Sequence, residues 1–331
     1  MLGVPIIIRK MNITTDKGVT MTQNRSSQTA NRRRSAVLLG GLVGLTSLVA
    51  SACFQEPPAG GGTTTSTMSS VKTLTNASFE WTFSEQTNVR SMAPGQPNYW
   101  SAGVSDSTQA TYNATDGGAT VLKKNAAGTY VPIGSEPAVD WAHRHHDGTG
   151  VIVTPTVGNY GQKVRFTGGT GTVNTSTGAS TIQWTGTFTI NFYGSYTPFW
   201  IKNPKLEINA SGQGSLTALV GGIKSDQLDP SIRITLPDRT VTVASFTGVS
   251  GANSTGFTST PTYLGTTVTL PSGYVQVAQN SGNASYWGSW PQSFVDFQIE
   301  TGNGAYWYTS GGAADPKKPT APLTVAYNIA P

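Results

Sequence analysis

Apolar residues recur at alternate positions through most of the chain beyond residue 70, and this spacing predicts strands rather than helices. The clearest strand is Thr181–Tyr193. It sets Trp184, Gly186, Phe188, Ile190 and Phe192 on one face and Thr185, Thr187, Thr189, Asn191 and Tyr193 on the other. Further strands are predicted at Phe79–Phe83, Lys163–Thr167, Lys205–Asn209, Ser215–Val220, Arg233–Leu236, Thr240–Phe246, Val268–Leu270, Tyr274–Ala278 and Leu323–Tyr327. Turn-forming pairs separate them: Asp116-Gly117, Ser211-Gly212, Asp229-Pro230, Leu236-Pro237-Asp238 and Ser272-Gly273. One stretch departs from the period. Ser289 can cap, Pro291 suits a first turn, and Trp290, Phe294 and Phe297 recur at helical spacing, which predicts a short helix over Pro291–Thr301. The pattern therefore predicts an all-β, antiparallel, sandwich-like domain with one or two short helices near the C-terminus.

Composition agrees. Only 11% of residues are charged, while glycine (39) and proline (19) are abundant, which excludes both a helical protein and a charge-rich disordered chain. The formal charge of +5 suggests nucleic acid until its location is read. Seven of the 21 basic residues (Arg9, Lys10, Lys17, Arg25, Arg32, Arg33 and Arg34) precede Cys53, with Asp16 the one acid there. The rest of the chain carries 14 basic against 15 acidic residues, a net charge of −1. No clustered basic footprint for phosphate remains, so nucleic acid is not an expected partner.

The basic residues belong to a targeting segment. Asn31-Arg-Arg-Arg-Ser35 precedes an uncharged run from Ala36 to Ala52 rich in Leu, Val, Gly and Ala, the layout of a signal peptide over residues 1–52. Residues 1–20 read as an upstream extension, with Met11 or Met21 an alternative start. Paired arginines resemble a twin-arginine export signal, although Ser35-Ala36 stands where Phe-Leu usually follows. Leu48-Val-Ala-Ser-Ala-Cys53 resembles a bacterial lipobox, and Cys53 is the sole cysteine of the chain, so lipidation there is expected; a free thiol is the alternative. Residues 53–70, rich in Pro, Gly, Ser and Thr, then form a tether. Residues 71–327 are expected to form a single domain, held at the outer face of the cytoplasmic membrane by the lipid.

All three histidines lie in Trp141-Ala-His143-Arg-His145-His146-Asp147. On a strand His143 and His145 share a face, and His146 could join them around a metal; a polar loop explains the run equally well. No Gly-x-Ser-x-Gly elbow accompanies them. Gly-rich Thr167–Thr172 does not lead into a helix, so phosphate cradling is not expected. A carboxylate pair for hydrolysis stays open, because nothing marks one out. The expectation is a binding protein, not an enzyme.

Aromatic residues are more informative. Trp287, Trp290, Phe294, Phe297, Tyr306, Trp307 and Tyr308 crowd one stretch, and Phe192, Tyr193, Tyr196, Phe199 and Trp200 another. Most of them suit a core. Trp184–Gly194, Ile201-Lys-Asn-Pro204, Leu206–Asn209, Gly214–Ala218, the opening Phe79-Glu-Trp81-Thr-Phe-Ser84 and the close Tyr306-Trp-Tyr308…Asp315-Pro316 together resemble the HtaA domain of actinobacterial surface proteins. The resemblance runs from about Val71 to Tyr327 in one copy. It implies a β-rich fold that captures haem at the cell surface, with Tyr308 as the iron ligand and Tyr193, Tyr306, Trp307 and Phe199 around the porphyrin. The family's histidine that supports the ligand is Tyr193 here, and its tyrosine after the opening Trp is absent from Glu85–Val89. Either Tyr193 supports Tyr308 in an altered site, or the fold persists without haem. The expected ligand is haem or a similar flat apolar molecule, passed on to a haem-transfer partner. The alternative is a structural or adhesive envelope protein that binds glycan or protein on the same scaffold.

Overall fold

The computed structural model describes residues 70–92, 95–226, 229 and 231–329. The signal-like segment, Cys53 and the tether up to residue 69 lie outside the described residues. Strands follow the period-2 pattern. The first are β1 (Val71–Trp81), β2 (Tyr99–Ala102), β3 (Thr115–Asp116), β4 (Ala119–Lys124) and β5 (Tyr130–Pro132). They are followed by β6 (Gln162–Asn174), β7 (Ser180–Gln183), β8 (Thr187–Phe192), β9 (Thr197–Ile208) and β10 (Gly214–Ser225). Then come β11 (Arg233–Phe246), β12 (Gly256–Ser259) and, after the helix α1 (Gln292–Thr301), β13 (Leu323–Ala326). All pair antiparallel in one 13-stranded sheet with the main order β11-β10-β9-β7-β6-β1-β13-β12. From this path β8 branches off β9 and carries β2, while β4 branches off β6 and carries β3 and β5. The fold is all-β and sandwich-like, as the alternation predicts.

The predicted strand Thr181–Tyr193 is two strands. Gly186 breaks it, at φ +131 and packed so closely that a Cβ would meet the Asp116 carbonyl oxygen at 2.4 Å. Opposite, Asn203 adopts a left-handed φ of +48; its side chain accepts from the Gly186 N–H at 2.9 Å and its own N–H donates to the Gly186 carbonyl at 2.8 Å. β7 and β8 then pair with different halves of β9. Because β8 carries β2 on its other edge, every residue of Thr187–Phe192 is buried, the threonines included.

Two other expectations need correction. Arg233–Leu236 and Thr240–Phe246 are one strand, β11, running through Pro237. Val220 pairs with Arg239 and Gly222 with Leu236, so the stretch around Pro237 forms a bulge on the edge strand, where a missing N–H costs no ladder bond. Val268–Leu270 and Tyr274–Ala278 are not strands. Side-chain amides replace the ladder there: Gln276 accepts from the Val268 N–H at 3.1 Å and donates to the Thr266 and Gly288 carbonyls at 3.0 Å each. Helix α1 starts one residue later than predicted. Ser289 does not cap it, because its hydroxyl donates to the Trp290 carbonyl at 2.8 Å. Gly302, at φ +90, ends the helix by donating to the Gln298 and Ile299 carbonyls.

The helix buries Phe294 and Phe297 against β10 and β11, and the core between is aromatic. Phe83 stacks on Trp290 at 5.5 Å, and Trp290 meets Trp307 edge-on at 5.1 Å. Buried indoles need acceptors. Trp81, Trp100, Trp184 and Trp290 each donate to a backbone carbonyl at 2.8–3.1 Å. Trp307, only 1% exposed, has no partner for its Nε1 among the described residues.

Candidate binding site

The residues singled out in the sequence converge at the end of β8. There Asn98 fixes the backbone: its Nδ2 donates to the Gln86 and Val89 carbonyls at 3.0 Å each, and its Oδ1 accepts from the Tyr193 N–H at 3.0 Å. Tyr193 leaves the strand at φ +56, a left-handed conformation that costs a non-glycine residue roughly 1–2 kcal/mol. The kink overrides alternation. Instead of pointing away from Phe192, the Tyr193 ring packs on it at 5.6 Å.

From the other side comes Tyr306, on the 3₁₀ turn Gly304–Tyr306. Its ring lies 5.3 Å from Phe192 and 5.4 Å from Tyr193, edge-on to both, and the Tyr193 and Tyr306 hydroxyls are hydrogen-bonded to each other. Both tyrosines are half-buried, and burial raises the Tyr306 phenol above its ordinary pKa. Tyr193 is thus hydrogen-bonded to Tyr306, whereas the family resemblance implies a pairing with Tyr308.

The Tyr306 turn is held by a buried ion pair. Lys318 and Asp315 are 2% and 3% exposed. Besides Asp315, the Lys318 ammonium donates to the Ala305 carbonyl at 2.6 Å, the Tyr308 carbonyl at 2.8 Å and the Ser310 hydroxyl at 2.9 Å. Asp315 accepts in turn from the Ser310 and Gly311 N–H groups at 3.2 and 2.8 Å. Burial pulls the lysine's pKa down, with Asp315 opposing it. The Asp315-Pro316 motif is visible in the sequence, but nothing in the sequence pattern marks Lys318, three residues on, as its partner.

The other predicted residues serve the core. Trp307 packs against Phe192, Phe199, Trp290 and Phe294. Phe199 is fully buried and meets Phe294 edge-on at 5.9 Å. Tyr308 is 1% exposed, and its phenol is pushed up to about 12, chiefly by burial, with Tyr274 and Asp315 adding to the shift.

None of the histidines lies in a named strand: Ala142–His145 form turns, and His146 makes an isolated antiparallel bridge with Ile152. His143 Nδ1 meets Asp140 Oδ1 at 2.8 Å, and its ring lies 5.3 Å from that of His146. His145 is half-buried and its pKa is lowered to about 4, first by desolvation and then by Arg144. The carbonyl of His143 accepts from the buried Lys123 ammonium at 2.8 Å. Among the described residues no group of three or more His, Cys, Asp or Glu side chains is arranged to hold a metal ion.

Two surface cavities lie away from the tyrosines. One of about 590 Å³ sits between the Thr269–Pro271 stretch and the outer face of α1, and one of about 410 Å³ lies over the Asn203 bulge beside Gln183 and Leu219. Among the described residues no helix is long and apolar enough to cross a membrane.

Comparison with known proteins adds little. No family model matches the chain, and no curated protein does. Among solved structures, the C-terminal domain of HtaA from Corynebacterium glutamicum is similar over 78% of this chain and 99% of that one, at 13% identity and a TM-score of 0.37. Identity this low leaves the chain's own side chains to define its ligand.

Proposed function

We propose that this chain is an envelope-tethered, extracytoplasmic binding domain that captures a flat apolar ligand of the tetrapyrrole class, with the Tyr193–Tyr306 pair as its contact. One observation carries the reading: two half-buried phenols share a hydrogen bond over an aromatic floor of Phe192. The donor set suits ferric haem. A phenolate is an iron ligand, and haem, when bound, supplies an oxidised iron whose charge lowers the pKa of a coordinating phenol. Tyr306, whose phenol is raised only by burial, is the group to ionise. Tyr193 then donates to the phenolate oxygen, the role of a hydrogen-bonding group behind a metal ligand. Tyr308 is a poorer ligand because its ring is enclosed.

The sequence supports the location: the signal-like run, Cys53 as a lipidation site and the tether would hold the domain outside the membrane. The role is binding rather than turnover, with the ligand handed to a transfer partner. The test is titration of the purified domain, residues 65–331, with hemin while the Soret band is followed. Saturable growth of a shifted Soret band supports the reading. A spectrum that stays that of free hemin favours the glycan- or protein-binding envelope role.

A further inference from the structure

The sheet end that holds Tyr193 also presents a cation without a described partner. Gly222 on β10 pairs with Phe199 on β9, and a Cβ on Gly222 would meet both Phe199 Cβ and Phe297 Cζ at 3.2 Å, so this position faces α1. Alternation turns Lys224 to the same side. The Ser225 hydroxyl donates to the Tyr196 carbonyl at 2.5 Å, which carries the register on and sets Lys224 beside Thr197. On its other edge Lys224 pairs with Ile234 of β11, while Thr197 pairs with Phe192 of β8. Ile234, Lys224, Thr197 and Phe192 therefore form one row across four strands, on the face that carries Tyr306. Neighbouring members are about 4.8 Å apart. Tyr306 packs on the last of them, and the Asn303 amide donates to the hydroxyl of Thr197.

Several cations of the sheet are neutralised: Lys163 and Arg165 meet Glu80, Lys202 meets Asp238, Lys205 meets Glu207 and Arg239 meets Glu300, while Lys123 and Arg233 donate to backbone carbonyls and Lys124 lies over the Tyr130 ring. Lys224 is exposed and forms no ion pair with a described residue. Beside it Ile234 is 55% exposed, an aliphatic surface next to the Lys224 ammonium. An ammonium on an apolar shelf, about two strand spacings from the floor of the tyrosine pair, suits an acidic group carried on the edge of an otherwise apolar ring system.

We propose that Lys224 anchors a carboxylate of the bound ligand, so that the site selects flat apolar molecules with an acidic edge and orients that edge toward β10. The inference rests on the tetrapyrrole reading above. The test compares hemin with its dimethyl ester, whose carboxylates are masked, on wild type, Lys224→Gln and Lys224→Arg. Wild type should bind hemin more tightly than the ester. Lys224→Gln should weaken hemin roughly fivefold and leave the ester unchanged, while Lys224→Arg keeps the preference. If wild type binds both forms and Lys224→Gln does not alter their ratio, the anchor is wrong and the tetrapyrrole reading survives. If wild type binds neither, both fall together. Unchanged circular dichroism of the variants separates a lost contact from a lost fold.

Discussion

The hydroxyl of Tyr193 is hydrogen-bonded to that of Tyr306, 113 residues further along the chain. One tyrosine is placed by a left-handed kink that Asn98 fixes, and the other by a turn that Lys318 holds. The pairing therefore depends on two supports that touch neither hydroxyl.

The buried Lys318–Asp315 pair should be costly to break from one side. Removing one partner leaves an uncompensated buried charge, a loss of about 3–5 kcal/mol. Urea denaturation of Lys318→Met and Asp315→Asn should show losses in this range. A midpoint shift corresponding to less than 1 kcal/mol in either would show that the pair does not hold the Tyr306 turn.

Gly186 and Gly248 both have positive φ, +131 and +68, but differ sharply in their surroundings. At Gly186 an added Cβ would meet the Asp116 carbonyl oxygen at 2.4 Å and the Ala119 nitrogen at 2.8 Å; at Gly248 it meets nothing within 4 Å. Gly248→Ala should cost only the left-handed backbone term, about 1 kcal/mol. Gly186→Ala should cost clearly more and disturb the β7–β8 junction. Equal losses for the two, measured by thermal and urea unfolding, would contradict the close approach described at Gly186.

Much of the fold was legible because period-2 alternation reports burial directly: the strands predicted at Lys163–Thr167, Ser215–Val220 and Leu323–Tyr327 overlap β6, β10 and β13, whereas β1 begins at Val71, well before the predicted Phe79, and ends at Trp81. The misplaced boundaries share one cause. At Gly186, Pro237 and Gln276 the deciding interaction comes from a distant partner: the Asp116 carbonyl, the bulge against Val220–Gly222, and the Thr266 and Gly288 carbonyls. At the site, Tyr193 and Tyr306 were legible as residues but not as a pair. Alternation sends Tyr193 to the wrong face unless its left-handed φ is known, and that φ depends on Asn98, 95 residues earlier.

The histidine loop predicts a pH dependence. The pKa of His145 is about 4 in the folded state against 6.5 ordinarily, so the unfolded chain binds the proton more readily. Its contribution to stability is complete above pH 6.5 and is lost as pH falls toward 4. Melting temperature should decline across that window in wild type, and less steeply in His145→Gln, since the carboxylates common to both cancel in the comparison. Parallel profiles would show that His145 is not held neutral by the fold.

The central claim is that Tyr306, supported by Tyr193, is the ligand-contacting phenol, and hemin titration of Tyr306→Phe beside Tyr308→Phe tests it most directly. Both substitutions remove a single oxygen and keep the ring, so the packing against Phe192 and within the core is preserved. Tyr306→Phe should lose the shifted Soret band or bind roughly 10–100-fold more weakly, whereas Tyr308→Phe should titrate like wild type. Loss of the band in Tyr308→Phe with Tyr306→Phe unaffected would contradict the account.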